Sequence, residues 1–207
     1  AMSDVSELYF LPLLMPWLAE TAPMVHLEIV RLDPATVEQA MRVGEVDLAL
    51  GLLPGIGRGV DSRLLFRDSF VCLVRAGHPV TEAPITDLEA TLRELRYAYA
   101  NTSATGHQRA EQWLTEIGIR RRIVLRLGHF TLAPHVVRAT DLAVIFPESV
   151  ARLINADDAF RLLPLPDGRP VIDIMVHAHV HFRSDPGIGW LRDGLIAHFA
   201  GGALPPG

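Results

Sequence analysis

The sequence contains no lysine, and all 19 of its positive charges are arginines. This absence excludes Schiff-base chemistry, the anchoring of pyridoxal phosphate and the lysine of a phosphate-binding loop. Only one cysteine is present, Cys72, so an internal disulfide and a zinc site built from several cysteines are excluded as well. Several common classes of enzyme and metal-binding domain are thereby removed.

The sequence also lacks a long apolar run and an excess of positive charge. No apolar stretch approaches the roughly 18 residues that a membrane span needs. The formal net charge of −5 argues against a nucleic-acid-binding surface on this chain. With 49% hydrophobic residues among 207, the composition is typical of a globular protein. No signal peptide is visible. A strand expected before Ser3 is missing and a helical pattern starts almost at once, so we expect a fragment of a longer protein; the localisation we expect is cytoplasmic.

Helical and strand-like patterns alternate along the chain, and this alternation is the main indicator of the fold. Apolar residues at helical spacing predict a first helix at 6–20, which Pro12 and Pro16 are expected to kink or break. Further helices are predicted at 34–43, 86–93, 107–117, 131–139, 148–155 and 187–199. Strands are predicted at 25–31, 46–51, 63–67, 69–75, 96–100, 121–127, 142–146, 160–165 and within 171–182. The pattern predicts an α/β protein with largely parallel sheets in two lobes.

Four segments spread over nearly the whole chain carry a recognisable pattern: 3–14 with its Ser-Asp entry to a helix, GEVDLALG at 44–51, FVCLVRAGHP at 70–79 and DPGIGWLR at 185–192. Together they resemble the effector-binding domain of LysR-type transcriptional regulators. Shorter runs resemble the branch that regulates salicylate and nitroaromatic degradation, close to the nodulation regulators; they are 52–54, 105–107, 129–130 and 140–142. The chain departs from that branch at Gln108, where a second glycine is usual, and at Val176, where a tryptophan is common.

The resemblance implies a fold of two Rossmann-like lobes with mixed, mostly parallel sheets, like that of type 2 periplasmic binding proteins. On this basis we place lobe I at 1–76 and 176–207 and lobe II at 77–175. The family's N-terminal winged helix-turn-helix is absent from this chain, so DNA would be bound only through that missing domain. The resemblance further implies a homodimer, a tetramer for the full-length protein and a small-molecule effector. Neither a cofactor nor a membrane partner is expected.

Two-lobed α/β folds bind ligands at the carboxyl ends of strands, where helix N-termini present free N–H groups and a positive dipole end suited to a carboxylate. Two segments have this character: Ser3 with Asp4, and the segment 101–107 after strand 96–100. An aromatic carboxylate would also need a flat apolar wall and a few polar groups. The predicted effector-contacting residues are Ser3, Asp4, Asn101, Thr102, Thr105, Gly106, His107, His129, Phe130 and His177. Simple helix capping is the alternative for the Ser, Thr and Asn side chains.

His177, His179 and His181 recur at a spacing of two, which would place all three on one face of a strand. Converging imidazoles could bind zinc, nickel or copper. However, same-face positions lie roughly 6.5–7 Å apart, so three in a row rarely converge on one ion. We therefore predict no metal site, with His177 as the most plausible cleft residue. Cys72 is interpreted as an inert buried thiol, and the arginine run 120–122 as a solvated edge or part of a subunit contact.

Three functional hypotheses follow. The leading one is a non-enzymatic domain of a LysR-type regulator that senses a small aromatic carboxylate in the interlobe cleft and dimerises. The second is a periplasmic solute-binding protein of the same architecture. The third is a metal-dependent enzyme that uses the histidine-rich strand 177–181, for which we can name no general base.

Overall fold

The computed structural model describes residues 1–100 and 105–200, in which helices and strands alternate. The helices are α1 (Asp4–Thr21), α2 (Val37–Val43), α3 (Leu88–Glu94), α4 (Thr105–Glu116), α5 (Ala133–Arg138), α6 (Glu148–Ile154) and α7 (Pro186–Phe199). The strands are β1 (Ala49–Gly51), β2 (Val60–Asp68), β3 (Phe70–Arg75), β4 (Arg96–Ala100), β5 (Arg122–Leu127), β6 (Leu142–Pro147), β7 (Phe160–Leu163) and β8 (Ile172–His179). Short 3-10 helices lie at Pro79–Thr81, Phe130–Leu132 and Val180–Phe182. The α/β class is confirmed.

The chain forms two compact units. The first unit comprises Ala1–Arg67 and resumes at Ile172, and the second unit is Asp68–Val171. The boundaries therefore differ from the predicted ones, which placed 68–76 in the first lobe and 172–175 in the second. The cause is strand pairing: β3 is hydrogen-bonded to β6 and β7, and the start of β8 belongs to a strand that pairs with β1.

The second unit is built on a five-stranded sheet in the order β5-β4-β6-β3-β7. Strand β4 runs parallel to β5 and β6, whereas β3 runs antiparallel to β6 and β7. The sheet is mixed, as predicted, but antiparallel pairing has a larger share than we expected. Strands β3 and β6 are almost continuously apolar because both of their faces are buried, and such a run does not reveal strand direction.

The first unit contains a three-stranded sheet in the order β1-β8-β2, with Ala49 opposite His177. Its aromatic core joins the flanking helices to β2. Phe10 of α1 packs edge-on against Phe199 of α7 at a centroid distance of 4.9 Å, and Tyr9 of α1 lies 5.0 Å from Phe66 of β2. Helix α1 runs unbroken through Pro12 and Pro16, so the predicted break is wrong. Its buried aromatic and leucine face stabilises the helix despite the two prolines.

The strand predicted at 25–31 is not formed. Of this segment, only Arg31 makes a β-bridge, parallel to Met2. The amide of Met2 donates to the carbonyl of Val30 at 3.1 Å, and the amide of Leu32 donates to the carbonyl of Met2 at 3.0 Å. Met24 and Val25 are 86% and 48% exposed, so the alternating pattern there does not bury an apolar face. None of the helices in the described ranges combines the length and apolarity needed to cross a membrane.

Candidate functional site

His107 is buried in an aromatic cluster of the second unit. It lies in the first turn of α4, seven residues after the end of β4, and only 4% of the residue is exposed. Its ring meets Phe130 edge to face at a centroid distance of 4.6 Å and lies 5.6 Å from the ring of Tyr99. Phe130 is itself fully buried and packs on Phe146 of β6. The structure therefore brings together two of the predicted effector-contacting residues, His107 and Phe130.

A buried ion pair lies beside this ring. Glu111, one helical turn after His107, forms a salt bridge with Arg121, and their side chains are 15% and 6% exposed. The guanidinium of Arg121 also packs over the ring of Tyr97 at 5.1 Å. Glu111 Oε1 lies 3.2 Å from His107 Nε2 but without hydrogen-bond geometry. Arg121 was predicted to lie on a solvated edge or in a subunit contact; it is instead buried in the interior of the second unit.

Several polar atoms of this cluster have no partner within the described part of the chain. They are both ring nitrogens of His107, Oε1 of Glu111 and Nη1 of Arg121. Buried polar groups are almost always hydrogen-bonded, because leaving one unpaired costs about 1–3 kcal/mol. Burial, together with the neighbouring charge of Arg121, lowers the pKa of His107 well below its ordinary value. The cluster therefore offers a neutral imidazole and unused donors and acceptors to a bound polar group.

The other predicted residues near the start of α4 have different positions. Gly106 is buried in the first turn of α4, and Thr105 is its first residue. Asn101 and Thr102 lie outside the described residues. His129 is exposed and precedes the 3-10 helix that carries Phe130. Among all the residues predicted at 101–107 and 129–130, the described structure shows a direct ring contact between His107 and Phe130.

Ser3 and Asp4 lie at the start of α1 in the first unit. Ser3 is the N-cap: its Oγ accepts a hydrogen bond from the amide of Ser6 at 3.3 Å and lies 2.9 Å from the Ser6 hydroxyl. Asp4 Oδ1 accepts from the amide of Val5 at 2.9 Å. These contacts match the capping alternative, in which both side chains satisfy free N–H groups of the helix. An effector contact at Ser3 and Asp4 stays a prediction.

His177 is buried in the first unit and has partners on both ring nitrogens. Its Nε2 donates to the carbonyl of Gly51 at 3.2 Å, and the Ser62 hydroxyl donates to Nδ1 at 2.7 Å. Because a carbonyl can only accept, Nε2 carries a proton, and in the neutral ring Nδ1 is therefore the acceptor for the Ser62 hydroxyl. Burial lowers the pKa of His177, although the bond to Gly51 opposes this shift. The side chain of His177 thus connects β8 to β1 and β2, and an effector contact through it stays a prediction.

The three histidines of 177–181 do not share one strand face. Strand β8 ends at His179, and His181 lies in the following 3-10 helix, where its amide donates to His179 Nδ1 at 3.2 Å. Across residues 1–100 and 105–200, no group of three His, Cys, Asp or Glu side chains is arranged to hold a metal ion. Burial raises the pKa of Cys72 to about 12, so its thiol stays protonated.

Glu111 and Tyr99 are members of the cluster that sequence reasoning missed. Glu111 follows His107 by four residues, a spacing that places two side chains on the same helix face. Tyr99 is on β4, just before the segment that was predicted as a binding site. Both signals were present in the sequence, but neither identifies the partner Arg121, which lies ten residues after Glu111.

The chain folds into two α/β units, each with its own sheet, and it crosses between them twice. This architecture is that of a two-lobed α/β protein, and comparison with known families identifies the family. The chain belongs to the family described as the LysR substrate binding domain, whose model matches residues 1–200. The expected fold, like that of type 2 periplasmic binding proteins, is thereby confirmed.

Curated relatives are transcriptional regulators by name. The chain is 38% identical over 194 residues to the HTH-type transcriptional activator NahR of Pseudomonas putida, covering 93% of this chain and 63% of that protein. It is 34% identical to the activator NagR of a Ralstonia species, covering 97% and 66%, and 32% identical to the regulator SyrM of Rhizobium etli, covering 98% and 60%. The chain thus spans about two thirds of the length of these relatives.

Solved structures of regulatory domains share the fold. The regulatory domain of MexT, a transcriptional activator in Pseudomonas aeruginosa, matches with a TM-score of 0.79 at 19% identity, covering 96% of both chains. The reduced OxyR regulatory domain of Pseudomonas aeruginosa matches with a TM-score of 0.73 at 18% identity, covering 99% of this chain and 95% of that one. At these identities the matches establish the fold alone.

Proposed function

We propose that this chain is the effector-sensing and dimerisation domain of a LysR-type transcriptional regulator. It binds a small aromatic carboxylate and controls transcription through a winged helix-turn-helix domain outside these residues. Family membership is the observation that carries this proposal. The printed names of NahR, NagR and SyrM describe regulators, not enzymes, which supports a non-enzymatic, cytoplasmic role without a resident cofactor.

The cluster around His107 is the part of the second unit best suited to contact the effector. Phe130 and Tyr99 supply aromatic surface, and the unpaired atoms of His107, Glu111 and Arg121 supply hydrogen-bonding capacity. The start of α4 presents backbone N–H groups of the kind that bind carboxylates. We include Asn101, Thr102, Thr105, Gly106 and His129 in the proposed site because they adjoin these residues in sequence.

Regulation would proceed by a shift between two conformations of the domain. An effector that binds with micromolar affinity supplies about 8 kcal/mol of binding free energy. Only the difference between its affinities for the two conformations can change their populations. The effector must therefore make contacts in one conformation that it loses in the other, and these contacts decide whether the signal reaches the DNA-binding domain.

Two other functions receive less support. A solute-binding protein of the same fold would share the architecture, but family membership and the names of the relatives favour a regulator. A metal-dependent enzyme would need a ligand set, and the histidines of 177–181 do not form a group of three metal ligands within the described residues.

Thermal unfolding with aromatic carboxylates tests the proposal. A ligand present at 100 times its dissociation constant stabilises the native state by about 2.7 kcal/mol. We expect benzoate or salicylate to raise the Tm, with no change on adding a chelator, and cyclohexanecarboxylate to serve as a non-aromatic control. A Tm that responds to metal ions and to none of the carboxylates would contradict the proposal.

Dimerisation is tested separately by light scattering on the purified chain. We expect a mass twice the 22.8 kDa of one chain. A monomer at all concentrations, with or without a carboxylate that binds, would remove dimerisation from the role of this domain.

A further inference from the structure

The Glu111–Arg121 pair lies beside the ring of His107, yet no part of the proposed function uses its charge. Both side chains are largely withdrawn from water, and their opposite charges are paired next to the ring. Removing two charges from water is costly, and an ion pair seldom recovers that cost through stability alone. We therefore expect a buried ion pair that contacts a candidate ligand-binding residue to affect the charge or the position of that residue.

The elements that pack around His107 contribute few other charges. Tyr99 of β4 contacts the ring of His107, and Tyr97 of β4 and Cys72 of β3 interact with Arg121. Burial raises the pKa of Tyr97 and of Cys72, so both are uncharged near neutral pH. Arg126 of β5 packs over Tyr99 at 5.2 Å, and Phe130 and Phe146 are apolar. Burial and, after it, the charge of Arg121 lower the pKa of His107. The carboxylate of Glu111, whose Oε1 lies 3.2 Å from Nε2, acts in the opposite direction.

We propose that Arg121 is a positioning residue that keeps the buried His107 uncharged by offsetting the carboxylate of Glu111, and that the Glu111–Arg121 pair holds the ring in place. His107 then presents a neutral hydrogen-bonding edge to the effector and does not act as the positive partner of its carboxylate. Arg121 offsets the charge of Glu111, which alone would stabilise an imidazolium. This inference rests on the proposed function, because it assigns the role of one residue within the same site.

The consequence for recognition is specific. The part of the effector that contacts His107 is a neutral hydrogen-bonding group or an apolar ring, and the negative charge of the effector is neutralised by other groups. The unpaired acceptor on Glu111 also disfavours a carboxylate at that position, since two anions would face each other in a buried site.

Titration of the histidine ring by NMR, without any ligand, tests the proposal. The resonances of His107 are assigned by their loss in His107→Gln. In the wild-type chain we expect no titration of His107 between about pH 6 and 8. In Arg121→Met, Glu111 faces the ring alone, and His107 becomes protonated in that range. In Glu111→Gln, Arg121 faces the ring alone, and His107 stays neutral.

Arg120→Met is the matched control, because it removes the same charge from the exposed neighbouring position. It is expected to leave the His107 titration unchanged. A wild-type His107 that titrates with an ordinary pKa, or an Arg121→Met variant whose His107 remains neutral, would overturn the proposal. Should Arg121→Met fail to fold, Arg121→Gln, which also removes the charge but keeps a polar side chain, is titrated in its place with the same expected result.

The same samples separate this inference from the proposed function. Benzoate is added at about pH 6 and 8, where the wild-type affinity is expected to change less than about twofold, since a uniform protonation state gives a uniform affinity. An affinity that rises at least fivefold towards the lower pH in the wild type, but not in His107→Gln, would overturn the neutral-ring proposal. A neutral His107 in a chain that binds neither benzoate nor salicylate would contradict the proposed effector class and leave the charge assignment standing.

Discussion

Arg121 lies just before β5, where its guanidinium is buried, packed over Tyr97 and paired with Glu111. Replacing it by Met leaves the carboxylate of Glu111 buried without its partner, which costs about 3 kcal/mol of unfolding free energy. Arg120→Met removes an exposed charge and should change stability by less than about 0.5 kcal/mol. Urea unfolding of both variants measures the difference. Equal stabilities of Arg121→Met and Arg120→Met would show that the buried carboxylate of Glu111 does not depend on Arg121.

His177 gives the first unit a pH dependence with a definite sign. Burial lowers its pKa in the folded state, so the unfolded chain binds the proton more tightly. The stability that it contributes is complete above its unfolded pKa of about 6.5 and is lost as the pH falls below that value.

We expect the wild-type chain to lose more stability between about pH 7 and 5 than His177→Gln, in which no imidazole can be protonated at this position. His181→Gln, at an exposed position, serves as the control and should behave like the wild type. The measurement is urea unfolding at a series of pH values. A steeper pH dependence in His177→Gln than in the wild type would contradict the sign.

The burial of Arg121 could have been inferred from the alternating pattern of the residues that follow it in β5. Ile123, Leu125 and Leu127 share its parity and are less exposed than Arg122, Val124 and Arg126. The run of three arginines at 120–122 obscures this alternation, because consecutive charged residues are typical of a solvent-exposed strand edge. The partner could not have been inferred, since Glu111 approaches Arg121 only when α4 packs beside the sheet.

At the scale of elements, β4 was predicted with its correct bounds and β6 to within one residue. Both are largely apolar runs whose ends are marked by polar residues or by proline. The segment 25–31 was predicted wrongly, since alternation alone does not supply a hydrogen-bonding neighbour. Helix α1 was expected to be kinked or broken at its prolines, and it is not broken. In each error the deciding contact comes from a distant part of the chain, such as the packing of α1 on α7.

Two glycines of α7 test how α1 and α7 pack. A Cβ on Gly194 would lie 2.6 Å from the indole of Trp17, whose ring stacks on Trp190 at 5.4 Å, whereas a Cβ on Gly189 would meet nothing within 4 Å. Gly194→Ala is expected to destabilise the chain by about 1–3 kcal/mol through overpacking. Gly189→Ala should stabilise it by up to about 1 kcal/mol, because alanine favours the helix. Chemical unfolding compares the two, and a stabilising Gly194→Ala would contradict this packing.

At the scale of the whole molecule, the class and the family could be predicted from the sequence, since signature segments occur in order from 3–14 to 185–192. The crossings between the units were displaced by nine and four residues from their predicted positions, at 67/68 instead of 76/77 and at 171/172 instead of 175/176. Strand partners decide these positions, and the partners of β3 begin about 70 residues after it for β6 and later still for β7. A sequence read alone does not reveal such pairings.

Calorimetric titration of the chain with benzoate and salicylate, in the presence of a chelator, tests the central claim most directly. We expect one of the two acids to bind with micromolar affinity, equivalent to about 8 kcal/mol. Binding should be lost in His107→Ala and kept in the exposed control Arg120→Met. An absence of heat with both acids, or equal affinities in the wild type and His107→Ala, would contradict the account of the effector site.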